Sequence, residues 1–138
     1  MNKIKTITMA VVILIVSAVT NSAQISDSDY EILSYTATIN DGKALEKNLL
    51  FKSEENIIAN VTLRDGKAMG VHTEKNAFWV LGAAGRGKLV LGDNDKTIEL
   101  KPGAMVLVKA GIPHDVIAEP ELSILIVKFL KKENNDAD

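Results

Sequence analysis

The sequence predicts an all-β fold, a sandwich or small barrel, on three observations. The segments after Gln24 are short and rich in β-branched residues. Gly, Pro, Asn and Asp separate them at roughly even spacing, and none sustains a helical period. With no internal repeat and no linker, the chain reads as one domain.

In chain order, "YEILSYTATI" (Tyr30–Ile39) alternates loosely and ends at the turn signal Asn40-Asp41-Gly42. "ALEKNLLF" fits either a helical turn or a strand. "NIIANVTLR" (Asn56–Arg64) is a strand by its β-branched content and runs into Asp65-Gly66, a two-residue hairpin signal. "KAMGVHTE" is the next expected strand, followed by "AFWVL" and "GKLVL" as two strands, with the intervening glycines serving a turn. Gly92-Asp93-Asn94-Asp95 turns into "KTIEL", and Lys101-Pro102-Gly103 turns into "AMVLVK". "HDVIAE" and "LSILIVKFL" are separated at Pro120-Glu121. The tail 131–138, "KKENNDAD", is charged, lacks large apolar residues and is expected to be disordered.

Residues 1–23 are set apart from the fold. Lys3 and Lys5 precede an apolar run from Ile7 to Val19, and small polar residues follow, the layout of a secretory signal peptide. The run is shorter than the ~20 residues of a spanning helix. Cleavage after Ser22 or after Ala23 both fit; a retained anchor is the competing reading. The expectation is a periplasmic or secreted protein, with no membrane association once the signal is removed.

Composition excludes some functions. Of 16 basic side chains, removing Lys3 and Lys5 leaves 14 against 18 acidic, a formal charge of −4. A mildly acidic chain without a basic cluster offers nucleic acid no footing. There are no cysteines, so neither disulfides nor thiol chemistry enter, and stability must come from the apolar core.

Several motif-like stretches carry no function. "GAAGRGK" (Gly82–Lys88) has P-loop spacing, but Leu89 follows where Ser or Thr is needed, and a strand rather than a helix continues. Asn60-Val61-Thr62 fits a glycosylation sequon but lies inside an expected strand. No Ser-His-Asp arrangement is supported.

Two stretches resemble the paired motifs of the cupin superfamily, G-x5-H-x-H-x(3–4)-E-x6-G and G-x5-P-x-G-x2-H-x3-N. The first is "GKAMGVHTEKNAFWVLGAAG", Gly66–Gly85; the second is "GAMVLVKAGIPHDVIA", Gly103–Ala118. The resemblance implies a jelly-roll β-barrel over residues 24–130. It also implies a metal site, because the chain's two histidines, His72 and His114, fall on family ligand positions. Glu74 stands where the second histidine belongs. The position of the motif glutamate falls on Phe78 or Trp79, depending on spacing; Lys109 replaces the proline and Ala118 the asparagine.

In a strand, His72 and Glu74 would share a face, and two imidazoles with a carboxylate form a facial triad that leaves coordination positions open. The expected cofactor is a divalent iron, manganese, zinc or nickel ion held by His72, Glu74 and His114. The expected partner is a small-molecule ligand or substrate, with dioxygenase or isomerase-type chemistry implied by the resemblance. Phe78 or Trp79 could wall the pocket, and Lys109 could meet an anion at its rim. The alternative is a non-catalytic cupin that binds a small ligand without metal. A homodimer is the remaining expectation, since exposed strands need covering.

Overall fold

The structure is a computed structural model that describes residues 26–93 and 96–131. The expected signal peptide 1–23 and nearly all of the expected tail lie outside these residues. Residues 26–31 belong to a separate unit, a short turn in which Ser26 donates from its backbone N–H to the Asp29 carboxylate at 2.8 Å. The unit from Ile32 onward carries every strand among the described residues.

That unit is an antiparallel barrel-type sheet of six strands: β1 (Leu45–Lys52), β2 (Asn56–Leu63), β3 (Phe78–Leu91), β4 (Lys96–Leu100), β5 (Met105–Val108) and β6 (His114–Phe129). Their order is β1-β2-β6-β3-β4, with β5 paired to another stretch of β3. Among the described residues there is no helix long and apolar enough to cross a membrane. Alternation sets the faces. Val61, Leu63, Phe78, Val80, Leu89, Val108, Val116, Leu122 and Ile124 turn inward as the buried core. The ambiguous "ALEKNLLF" segment is strand β1, paired to β2 from Leu45↔Leu63 to Lys52↔Ile57.

Four expectations are corrected. Tyr30–Ile39 forms no strand; Tyr30, Ile32 and Tyr35 are exposed, so its loose alternation has no partner face. The glycines of "GAAGRG" are not a turn. β3 runs through them with bulges between Gly82 and Ala84 and between Gly85 and Gly87. A Cβ on Gly82 would sit 2.0 Å from the Lys101 carbonyl oxygen, and one on Gly87 would sit 2.4 Å from that of Ile117. These glycines bend a long strand and let neighbouring backbones approach.

Likewise, Pro120 does not separate two strands: β6 continues from His114 to Phe129, its peripheral bend at Glu119–Glu121 lying opposite the β3 bulge. Finally, "KAMGVHTE" is not a continuous strand. Among the described residues its backbone pairs with β6 at two isolated bridges, Ala68↔Ile117 and His72↔His114. Between them Gly70 takes φ +94° and donates its N–H to the Asp115 carboxylate at 2.9 Å, which breaks the ladder. Asp65-Gly66 does form a tight turn, with both residues at positive φ and the Lys67 N–H donating to Arg64 O at 3.0 Å. It closes no hairpin: β2 pairs with β1 and β6, and the segment after the turn bridges to β6.

Candidate functional site

The site begins at the second of those bridges. His72 and His114 exchange both backbone hydrogen bonds, at 3.0 and 2.9 Å, so their side chains leave the ladder side by side. The ring centroids lie 4.3 Å apart at 58°. Each ring is pinned by its Nδ1 to the carbonyl two residues before it, His72 to Gly70 at 2.7 Å and His114 to Ile112 at 2.8 Å. A carbonyl can only accept, so Nδ1 carries the proton in both neutral rings. Nε2 then keeps its lone pair. Phe78 packs its ring 4.8 Å from that of His114.

Both imidazoles line a cavity of about 380 Å³. Ala59 and Val61 of β2, Val80 of β3, Val116 and Ile126 of β6, and Met69 make its apolar wall. Its polar groups are His72, His114, Glu74, Lys128 and Lys47. His114 is 3% exposed, and burial holds its pKa below the usual 6.5 of a histidine. The bond to the Ile112 carbonyl opposes that shift; the charges of His72 and Lys128 add to it and that of Glu74 opposes it.

Glu74 reaches the cavity from the loop after the bridge, not from a strand. Its carbonyl accepts the Gly111 N–H at 2.8 Å, tying this loop to the one that leads into β6. Its carboxylate accepts a hydrogen bond from the Lys128 ammonium in an ion pair whose two side chains are 26% and 28% exposed. Among the described residues, no group of three or more His, Cys, Asp or Glu gathers closely enough to hold a metal ion.

The fold thus brings His72, Glu74, His114 and Phe78 to one cavity. Trp79 is outside its lining, since β3 alternation turns it to the opposite face from Phe78 and Val80. Lys109 is exposed and is also outside the lining. Sequence reasoning missed Lys128 and Lys47. The signal for Lys128 was there: Leu122, Ile124 and Ile126 form the inward phase of β6, and Lys128 is the next member of that phase. Lys47 carried no such signal, since β1 is exposed from Lys47 to Leu49. The sequon asparagine is spoken for, since Asn60 is buried and its amide donates to Ser123 Oγ and Ile124 O, both at 2.9 Å.

Comparison with known proteins bears on the fold and on the pocket. The AraC-like ligand binding domain family matches residues 63–133. An L-ectoine synthase of Rhodococcus jostii (strain RHA1) is 31% identical over 111 residues, spanning 79% of this chain and 80% of that protein. Among solved structures, a cupin superfamily protein of Desulfitobacterium hafniense DCB-2 superposes with a TM-score of 0.62 at 16% identity, covering 68% of this chain and 84% of that one. An RmlC-like cupin of Methanocaldococcus jannaschii, described as a double-stranded β-helix, gives 0.60 at 20% identity, over 73% and 91%.

Proposed function

Given that this chain belongs to the cupins, as a member of the AraC-like ligand binding domain family, we propose that its barrel binds a small organic molecule. The observation that carries this reading is the cavity itself: an apolar chamber of about 380 Å³ into which two imidazoles, fixed through Nδ1, offer Nε2 as acceptors. Small-molecule sites have this composition, apolar walls with a few convergent polar groups. A ligand that fits brings O–H or N–H donors for the two Nε2 atoms and apolar surface for Val61, Val80 and Ile126. The resemblance to an L-ectoine synthase, an enzyme named for a small product, supports a ligand of this size.

The test is a panel of polyols, amino acids and small carboxylates screened by thermal unfolding, followed by calorimetry. A true ligand at 100 times its Kd adds about 2.7 kcal/mol to stability. His72→Ala and His114→Ala each weaken that ligand at least tenfold while the protein stays folded. Undiminished binding by both variants overturns the site.

A second reading is a divalent metal held by His72, Glu74 and His114, with dioxygenase or isomerase-type chemistry. The Nδ1–carbonyl bonds favour it, because metal-ligating imidazoles are commonly oriented this way. The third donor does not fit, because the Glu74 carboxylate is held by Lys128 and two imidazoles alone fall short of the three protein ligands of an open metal centre. Elemental analysis of the purified protein separates the readings.

Export to the periplasm or medium is part of the proposal and rests on the layout of residues 1–23. A homodimer is supported by an outward apolar row across four paired strands, Ile58–Val127–Trp79–Leu107, beside the exposed Met105. Size-exclusion with light scattering on Leu107→Glu against the unaltered protein tests it.

A further inference from the structure

Lys128 is the one cation on the inward phase of β6, where Val116, Ala118, Leu122, Ile124 and Ile126 are all apolar. It stands in register between Ile57 of β2 and Phe78 of β3, which places it at the level of the imidazole pair. A lysine turned into an apolar barrel is disfavoured unless a partner offsets its desolvation. Among the described residues its ion-pair partner is Glu74, which reaches Lys128 from the loop two residues beyond His72.

We propose that Lys128 decides what class of ligand the barrel accepts: it withholds the Glu74 carboxylate from the His72–His114 pair and so reserves the cavity for an organic molecule instead of a divalent cation. Two effects work together. The ion pair engages Oε1 of Glu74 and holds the carboxylate toward Lys128 rather than toward the imidazole pair, and the ammonium places a positive charge beside the imidazoles. That charge reaches His114, where it disfavours a protonated ring, and it opposes a metal dication in the same sense and more strongly. The inference deepens the small-molecule reading and rests on it for the identity of the cavity.

Removing the charge should therefore create a metal site. Lys128→Met keeps the length and apolar stem of the side chain, and it frees Glu74 to turn toward the two Nε2 atoms. The probe is Co²⁺, followed by calorimetry and by the visible absorption of the bound ion. The unaltered protein should bind it weakly and Lys128→Met at least tenfold more tightly. The gain should vanish in the double variant Lys128→Met/Glu74→Gln. Lys128→Arg, which keeps the charge and the pairing, should resemble the unaltered protein and guards against a folding artefact. The proposal is overturned if the unaltered protein already binds one equivalent as tightly as Lys128→Met, or if the gain survives Glu74→Gln. Failure of the small-molecule screen leaves the Co²⁺ comparison standing, so the two results are separable.

Discussion

Arg64, at the end of β2, commits every arm of its guanidinium. Nε donates to the Asn40 carbonyl at 2.7 Å, one terminal nitrogen to the Lys43 carbonyl at 2.6 Å, and the other to Glu46 at 2.9 Å. Lys128, on β6, has Glu74 as its ion-pair partner among the described residues, beside a cavity lined by two imidazoles held through Nδ1. Both are cation–glutamate pairs that tie a loop or edge strand to the sheet. The arginine side chain is 8% exposed and the lysine 28%. A planar fork engaged at all three nitrogens fixes one geometry, whereas an ammonium on a flexible stem can exchange partners. The first pair anchors the segment from Asn40 to Glu46 against β2. The second leaves its groups free to answer a ligand.

The largest expected effect follows from the anchored pair. Arg64→Met orphans two carbonyls and strands Glu46, which is only partly buried and regains water. The loss should come from the two unsatisfied carbonyls, about 2 kcal/mol. Arg64→Lys should recover little of it, because one ammonium cannot reproduce the fork. Urea unfolding at neutral pH measures both, and a loss under about 1 kcal/mol for Arg64→Met would show the network to be dispensable. By comparison, Glu74→Gln keeps an amide oxygen that can accept from the partly exposed Lys128 and should cost less, about 1 kcal/mol in the same assay. A cost equal to that of Arg64→Met would erase the distinction between the two pairs.

How much of this contrast the sequence could reveal differs between its halves. The strand in "NIIANVTLR", from its β-branched content, and the turn at Asp65-Gly66 were readable because local chemistry decides them. The merging of "AFWVL" with "GKLVL" into one strand was not, because it depends on Lys101 and Ile117 passing close to Gly82 and Gly87 from far along the chain. In the site, His72, Glu74 and His114 were legible as residues that meet, through their spacing within two motifs. Glu74's engagement was hidden, since its partner lies 54 residues away. Reading β6 for phase as well as hydrophobicity would have exposed Lys128. Arg64 carried no such signal: its partners are backbone carbonyls of a loop, and carbonyls are the same in every sequence.

Acid titration of stability separates the two regions by pH, with the smallest expected effect. Burial lowers the pKa of His114 below 6.5, so the unfolded chain binds a proton before the native one does. Stability from this group is fully present above about pH 6.5 and is lost as pH falls toward the native value. The carboxyl of Glu46 is held below its usual 4.5 mainly by the hydrogen bond from Arg64. Its contribution is present above about pH 4.5 and is lost as pH falls toward its lower native value. The profile of unfolding free energy should therefore descend in two stages, the upper from the cavity and the lower from the anchor. His114→Gln should flatten only the upper stage, and Arg64→Met should shrink only the lower. If His114→Gln leaves the descent that begins below about pH 6.5 intact, another group titrates there and the buried imidazole is not the cavity's acid-sensitive element.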